Sequence, residues 1–587
     1  MNNSIYLKEN PCANMARPCG RSVNVFYRHG EEYLFDHFDF SKFKGASEYI
    51  FYELARRFKD PSIAGEFSYK GVELLSCFKL LLYNYASYSA ILVSALINFV
   101  KANPQGTIYI AGEDTDWETP FIHQILQACA PEVQNRVSVM NIVPENMVKM
   151  KSAGIGSSLK AFLKDHAWPK EASLCYGRPE IVLFSDYQRI KSLIPLLHSS
   201  TVFFTDFKSP KIFIRSLIDR VSFCQISDMH GDRKLYGDIV NNMNKRIHGS
   251  DIFKDMTVEG IGLGTILKQK MGQLLLTQAP DLLCKIDKIH EFFARHPSIK
   301  TALLDEDVTP AKNAFCKVAK DHSVSTHVEC HGALGGAQSF LPLTADLFFA
   351  WGIEQRDTLV RWGCPSEKII ISGCSRYNQY KKIPDFDVRK QIFRKIRFSE
   401  GMKTVLFVPH QRYASRSPVE KNIFEGNKKI LDIILGYSGI QVIIKLHPGD
   451  NSLGYYKARC KESDVKCRVK VMKRFDPYLL IKSSDFMIVH DSTMAVDGFV
   501  LGRNVIFFPV VGARSDTINS TISDFEKYNV FYCPSDMKDF KKRFDLLLKD
   551  SGSRPERSRW DEARRNCINA DEPLPEETIS RYLLGSL

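Results

Sequence analysis

At 587 residues with a formal charge of +13, 44% hydrophobic and 25% charged, the chain has the composition of an ordinary globular protein and is too long for a single core, so two or more domains are expected. Fifteen cysteines are scattered without a CxxC pair, and Met1 to Arg21 lacks the apolar segment of a secretory signal, which argues for reduced thiols and against a disulfide framework or zinc site. The positive charge suits nucleic acid, an anionic membrane surface or acidic small substrates, but no helix-turn-helix, zinc-finger or RNA-binding aromatic signature accompanies it, so a nucleic-acid partner is not expected.

In chain order, residues 1–22 read as a polar leader. Ser22 to Phe40 alternates in strand fashion around Arg28-His29-Gly30, and helical patterns cover Ala46 to Phe58 and Val72 to Val100. Leu80 to Val100 carries no charge and is long enough to span a bilayer. It nevertheless contains Asn84, Ser87, Ser89, Ser94, Asn98 and three tyrosines, groups that a helix buried in a large domain satisfies better than a lipid-facing one. A buried helix is the expectation.

Thr107 to Ala111 reads as a strand ending in Gly112-Glu113-Asp114-Thr115-Asp116. Ile181 to Phe184 and Thr201 to Phe204 are further short strands, ending near Asp186 and Asp206. Strand, loop and helix alternate here as in a Rossmann-like domain. From Asp219 to Lys270 the pattern dissolves into polar, glycine-containing sequence, read as an acceptor-binding insertion or a surface excursion. Met271 to Arg295 reads as helix. Regularity returns with the strand Thr301 to Leu304, followed by Asp305-Glu306-Asp307, a helix opening at Pro310, and the strand Val324 to Glu329, which ends in Cys330-His331-Gly332. Ala345 to Gly352 and Lys368 to Ser372 follow as strands, the second closing with Gly373-Cys374-Ser375-Arg376-Tyr377. Residues 378–402 are charged and suit a linker.

The most informative stretch is Thr404 to Pro509. Apolar strands Thr404–Val408, Gln441–Lys445, Phe486–Val489 and Asn504–Phe508 alternate with helical patterns, which implies parallel pairing with crossover helices. Polar and small residues gather where these strands end: Pro409-His410-Gln411-Arg412, Leu446-His447-Pro448-Gly449 and His490-Asp491-Ser492-Thr493. Open α/β sheets bind ligands at that edge, and Ser492-Thr493 stand where a helix begins, so a nucleotide-sugar pocket is expected.

His331-Gly332, Ala345-Asp346 with Trp351-Gly352, Gly363 with Lys368-Ile369, Gly373 and Arg376, Lys445 with His447-Pro448, and Asp491-Ser492-Thr493 with Asp497 occur in that order. Together they resemble the GT-B-fold transferases that build bacterial surface polysaccharides: the Kdo and sialic-acid transferases of capsule and lipopolysaccharide, and the CDP-glycerol glycerophosphotransferases. The non-hydrolysing UDP-sugar 2-epimerases share the architecture. The match covers roughly residues 300–510, and it rests on the order and spacing of the motifs rather than on any one of them.

The resemblance implies an α/β protein with two Rossmann-like domains facing across a cleft: an acceptor domain over 23–377, a linker, a donor domain over 403–560, and helices over 561–587 packing back on the first domain. It implies that His447-Pro448 contacts the donor phosphate with Lys445 adding charge, and that Ser492 and Thr493 bind phosphate beside Asp491. Asp497 would take the ribose hydroxyls, where the family more often has Glu, and His410 and Arg412 would flank the donor. Gly332, Gly373, Ser375 and Arg376 would form a phosphate or acceptor loop. His331, preceded by Cys330 where the family usually has Gln, would act as base on the acceptor hydroxyl, or merely orient its loop or bind phosphate. Glu113, Asp114 and Asp116 are rivals for the base, for a nucleophile if configuration is retained, or for a helix cap. No metal or other cofactor is expected.

The expected activity is transfer of a sugar from a nucleotide donor, CMP-Kdo or CMP-sialic acid first, to a growing bacterial glycan or lipid-linked glycan. The alternatives are CDP-glycerol glycerophosphotransfer, UDP-sugar transfer or 2-epimerisation, and carbohydrate binding without turnover. Lys538, Lys541, Lys542, Arg543, Arg554, Arg557, Arg559, Arg564 and Arg565 suit the anionic cytoplasmic face of the inner membrane, or a solvated helix face.

Overall fold

The computed structural model describes residues 5–6, 40–102, 108–112, 134–135, 137–141, 171–197, 200–207, 210–226, 235–258, 261–334, 336–410, 418–450, 452–461, 468–490, 492–508, 522–553, 557–569 and 573–585. Strands β1 (Glu171–Leu174), β2 (Ile181–Phe184), β3 (Thr201–Thr205), β4 (Ser222–Ile226), β5 (Thr301–Leu304), β6 (Ser325–Glu329), β7 (Leu347–Ala350) and β8 (Ile369–Ile371) form one sheet in the order β8-β7-β6-β5-β2-β3-β4-β1. All neighbours are parallel except β1 against β4. The chain winds outward from β2 to β4, returns to place β5 beside β2, and winds out the other way to β8. That is the doubly wound pattern, with its crevice between the carboxyl ends of β2 and β5.

Both faces are buried, as a parallel sheet requires. Ile181, Leu183, Phe203 and Leu303 face one layer, and Val182, Phe184, Val202 and Leu304 face the other. Alternation along each strand produces this split, and each fully buried aliphatic side chain stabilises the fold by about 1.5–3 kcal/mol. On the second face lie α1 (Phe40–Phe58) and α2 (Lys79–Ala102), while α3 (Pro210–Asp219) covers the first through Ile212 and Phe213. The second face is completed by α4 (Gly237–Gly249), α5 (Gly264–Thr277), α6 (Ala279–Arg295) and α7 (Pro310–Asp321).

The uncharged stretch 80–100 is part of α2. Leu82, Ala86, Ala90 and Val93 are buried in the domain core, Ser89 Oγ donates to the Tyr85 carbonyl at 2.7 Å, and Lys79 at its start donates to the Leu341 carbonyl. Among the described residues no helix is long and apolar enough to cross a membrane.

Residues 219–270 are more regular than their composition suggests. They hold β4, α4 and the start of α5. Val240, Met243 and Ile247 are the buried face of α4, a three-residue stripe outnumbered by its asparagines and charges. The 271–295 pattern resolves into two helices broken at Gln278, where Pro280 opens α6. Ile108–Gly112 does not join the large sheet. It pairs in parallel with Val137–Asn141 and with Ile5–Tyr6, inside the expected leader. The Ser22–Phe40 alternation lies outside the described residues.

The second domain is a five-stranded parallel sheet: β9 (Lys403–Val408), β10 (Ile440–Lys445), β11 (Val469–Met472), β12 (Phe486–His490) and β13 (Asn504–Phe508), in the order β11-β10-β9-β12-β13. This is the same doubly wound order, with its switch point between β9 and β12. Val405, Phe407, Val442 and Ile444 face one helical layer, and Leu406, Val408, Ile443 and Val489 face the other.

Between the sheets, α8 (Ile353–Arg361) follows β7, and the charged 378–402 stretch is no open tether. It folds into α9 (Asp385–Ile396), tied to the second domain by Arg389 on Asp485 at 3.1 Å and by Arg503 and Lys482 on Asp385. The second domain adds α10 (Pro418–Leu435), α11 (Leu453–Arg459), α12 (Pro477–Ser483), α13 (Met494–Val500) and α14 (Met537–Lys549). Then α15 (Arg557–Ile568) and α16 (Pro575–Leu583) cross to the first sheet. Trp560 of α15 packs on Phe499, the Asn566 carbonyl crowds Gly352, and Thr301 donates to the Leu583 carbonyl at 2.9 Å. The chain is an α/β protein with two Rossmann-like domains whose carboxyl edges face each other, the GT-B arrangement.

Candidate functional site

On the first-domain wall, β6 delivers Glu329, Cys330 and His331 to the sheet edge. His331 Nδ1 lies 3.0 Å from the Asp305 carbonyl oxygen. A carbonyl only accepts, so this nitrogen carries the proton and Nε2 is left as the basic atom. The ring stacks on Phe340 at 5.1 Å and 14°, which fixes its plane. Burial, with the Arg189 cation second, lowers its pKa, opposed by Glu306 and Asp305. A neutral imidazole at ordinary pH follows.

Asp305, at the switch point, is gripped by Arg189 at 3.2 Å and by Lys312, which also reaches Glu306 at 3.3 Å. This network holds the carbonyl that orients His331. Beside it a cavity of about 720 Å³ opens at the ends of β2, β3 and β5.

Gly332 faces the second domain closely: its Cβ position would lie 3.8 Å from Thr493 Cγ2. His331 and the Ser492-Thr493 turn are thereby brought to opposite walls of one cleft. Ser492 Oγ accepts a long 3.4 Å bond from the Met494 amide, and Thr493 makes no side-chain cap.

The 373–376 loop differs from the expected phosphate or acceptor loop. Arg376 is buried, donates to the His331 carbonyl at 3.0 Å, and lies 4.8 Å over the Trp351 ring. Ser375 donates to Glu329 at 2.7 Å, and burial raises the Glu329 carboxyl despite that bond. Gly373 holds φ +82°, and its Cβ position is occupied by Pro575 and the Asn569 carbonyl. The C-terminal segment covers Gly373, and the Arg376 guanidinium is tied to the His331 carbonyl.

On the second wall, His447 and Pro448 are exposed. His447 Nδ1 accepts from the Gly449 amide at 3.0 Å, leaving Nε2–H to point away from the turn. Burial and Lys445 lower the His447 pKa. Lys445 itself is buried, and its ammonium donates to the Leu446 and Lys473 carbonyls, so it braces the turn rather than offering an open charge. Asp497 is likewise enclosed: it accepts from Tyr377 Oη at 2.6 Å, and burial raises its pKa against the opposing effects of Arg376 and Tyr377. It links the two domains, which differs from the expected open ribose contact.

At the second switch point, the His410 backbone is bracketed by Asn427, which accepts from its amide at 3.2 Å and donates to its carbonyl at 3.1 Å. Asn427 Oδ1 also lies 2.6 Å from His490 Nδ1. Asn427, Arg189, Glu329 and Tyr377 were not foreseen. Asn427 had a signal: it sits one helical step before Ile430, Leu431 and Ile434, a polar group on a buried stripe. Glu329 had the same kind of signal, a carboxylate closing an apolar strand. Glu113, Asp114, Asp116, Arg412 and Asp491 lie outside the described residues. Among the described residues, no three His, Cys, Asp or Glu side chains are grouped to hold a metal ion.

No protein-family model matches the chain, and no curated protein matches it. Similar solved structures include the UDP-GlcNAc 2-epimerase of Neisseria meningitidis bound to UDP-GlcNAc, 13% identical over 69% of this chain and 100% of that one, with a TM-score of 0.44. The S. aureus MnaA structure with UDP is 12% identical over 70% and 98%, with a TM-score of 0.44. A glycosyltransferase from Rickettsia africae is 10% identical over 70% and 100%, with a TM-score of 0.41.

Proposed function

We propose that the protein is a nucleotide-sugar-dependent glycosyltransferase, with the donor on the second domain and the acceptor hydroxyl presented to His331. The observation that carries this reading is the His331 geometry. Its Nδ1–H is committed to the Asp305 carbonyl, its ring is kept neutral by burial, and its loop faces Ser492-Thr493 across the gap between two switch-point edges. A basic Nε2 so placed takes the proton of a hydroxyl as that oxygen attacks the anomeric carbon, while the nucleotide leaves toward His447 and the 492–493 turn. His410, tied down by Asn427, flanks the donor. A CMP-linked Kdo or sialic acid is the first donor to test, and CDP-glycerol or a UDP-sugar follows. The acceptor is a glycan or lipid-linked glycan at an anionic membrane face, and no resident metal takes part.

The second reading, 2-epimerisation of a UDP-sugar, uses the same cleft and the same histidine as base on carbon. Incubation with each labelled sugar nucleotide, with and without a glycan acceptor, separates the two. Acceptor-dependent release of CMP, CDP or UDP with a labelled glycan supports transfer. An isomerised sugar nucleotide formed without acceptor replaces it by epimerisation, and no turnover with any of them rejects both.

A further inference from the structure

The imidazole of His331 is held on two sides, and both holds lead back to residues 305–307, just past the end of β5. On its edge, Nδ1–H is bound to the Asp305 carbonyl at 3.0 Å. On its face lies the buried Phe340 ring, within 14° of parallel, with Phe348 of β7 behind it at 6.2 Å. Phe340 leads into a short segment, 341–345, that is pinned along its length. Asp307 Oδ2 accepts from the Thr344 and Ala345 amides at 2.5 and 2.9 Å. Asn313 of α7 donates to Thr344 Oγ1 at 2.7 Å and to the Asp307 carbonyl at 3.0 Å. Lys79, at the start of α2, donates to the Leu341 carbonyl. Burial raises the Asp307 carboxyl to about 6, with Glu306 adding to the rise and the two amides and Lys79 opposing it. Burial also lowers the Lys79 ammonium to about 7, opposed by Asp307 and aided by Lys59 and Lys317. Buried ionisable groups are costly to keep, and the proton transfer at His331 uses neither of these.

We propose that Asp307 is a positioning residue for His331, acting through the 341–345 segment and Phe340. A carboxylate that accepts from two consecutive amides fixes the backbone direction there through charge-assisted bonds. With Lys79 holding Leu341 and Asn313 holding Thr344, Phe340 has no freedom to swing off the imidazole. The stack then does two things. It keeps the ring plane, so Nε2 keeps the heading that the Asp305 bond gives it. It also shields one face of the ring from water, and burial is the first cause of the lowered His331 pKa. One three-residue turn thereby sets the direction of the base through Asp305 and its plane and basicity through Asp307. The proposal rests on the reading of His331 as the base of the transfer, and adds the residue that keeps that base in place.

The test reads the His331 pKa directly, by NMR titration of the full chain labelled at its histidine rings, with His331→Gln to identify the signal. Asp307→Ala and Phe340→Leu should each raise that pKa toward the ordinary value of about 6.5. Asp307→Ala should add little in the Phe340→Leu background. Loss of a negative charge alone would lower the pKa, so the sign separates a loosened stack from a changed field. His447, on the second domain, should titrate as before. An unmoved or lowered His331 pKa in folded Asp307→Ala, additive shifts, or a His447 signal that moves in step overturns the proposal. If Asp307→Ala does not fold, Asn313→Ala removes the neighbouring pin without a change of charge and is held to the same outcomes. In turnover assays Asp307→Ala should lose ~10-fold or more in kcat with the donor KM unchanged, and a loss confined to KM overturns the proposal as well. A His331 pKa that responds as expected in a chain that turns over no sugar nucleotide removes the transferase reading and leaves the positioning. Turnover with an unresponsive pKa removes only the positioning.

Discussion

Tyr377 Oη donates to Asp497 Oδ1 at 2.6 Å, joining the end of the first domain to a helix that flanks the cleft in the second. Both groups are buried, and Arg376 beside them holds the His331 carbonyl. Arg376 also donates to Tyr377 Oη at 3.3 Å, so Asp497 and His331 are linked through three consecutive hydrogen bonds. Tyr377→Phe should leave a buried carboxylate without its donor and cost about 1–3 kcal/mol of stability. In denaturant titration, Tyr377→Phe and Asp497→Asn should be non-additive. Additive effects would mean that the bond contributes nothing.

His331→Ala should lower turnover by the ~10²–10⁴-fold typical of a positioned base while leaving nucleotide affinity nearly intact. Because burial and Arg189 lower the pKa, the limb that His331 contributes to the pH–rate profile should fall below the ordinary histidine value of about 6.5 and vanish in the variant. Normal turnover in His331→Ala, with an irreplaceable Glu113, Asp114 or Asp116, would move the chemistry to that carboxylate group.

Replacing His447 or Ser492 by Ala should each weaken nucleotide binding by about 1–3 kcal/mol if each loses a bond to charged phosphate. His447 is exposed, so its substitution should leave the melting temperature unchanged. Calorimetry with cytidine and uridine nucleotides is the measurement, and unaltered affinity for all of them would exclude the assignment.

His490 offers a pH test of the second switch point. Burial, then the nearby His410, lowers its pKa to about 3, against about 6.5 unfolded. Between those values the unfolded chain binds the extra proton, so this contribution to stability is present above about pH 6.5 and is lost as pH falls toward 3. Asp307, raised by burial to about 6, acts in the opposite sense, contributing stability that is lost as pH rises through 6. His490→Gln should therefore reduce the slope of stability against pH between 7 and 5, by at most about 1.4 kcal/mol per pH unit. Parallel slopes in the variant and the parent would contradict the burial argument.

Lys538, Lys541 and Lys542 are exposed along α14, and Arg559 and Arg565 along α15. Binding to phosphatidylglycerol vesicles should strengthen by about 1 kcal/mol per side chain close to the surface. It should weaken as salt shortens the screening length below roughly 10 Å. Cosedimentation indifferent to salt and to lipid charge would reject a membrane role for this face.

The strands of both large sheets were readable wherever an apolar run of four to six residues ended in a turn. Thr301–Leu304, Ile181–Phe184 and Asn504–Phe508 appear as expected. β1, β4 and β11 are not legible in the sequence, because Glu171, Gln225, Lys470 and neighbouring polar residues interrupt their apolar runs, and β1 and β11 are edge strands covered on fewer sides. Helix α4 was missed because one buried stripe among charges has weak contrast.

Periodicity and turn residues are local, and they sufficed for the α/β class, the buried reading of α2 and the placing of His331 and Ser492-Thr493 at strand ends. Partners distant in sequence are not local. Lys445 reads the same in sequence whether its ammonium meets a phosphate or the Leu446 and Lys473 carbonyls, and Arg376 reads the same whether open or held under the C-terminal helices. That Tyr377 meets Asp497, and that Ile108–Gly112 sits in a small separate sheet, depended on how whole layers close on one another. Only that packing determines which polar groups keep water and which must find each other.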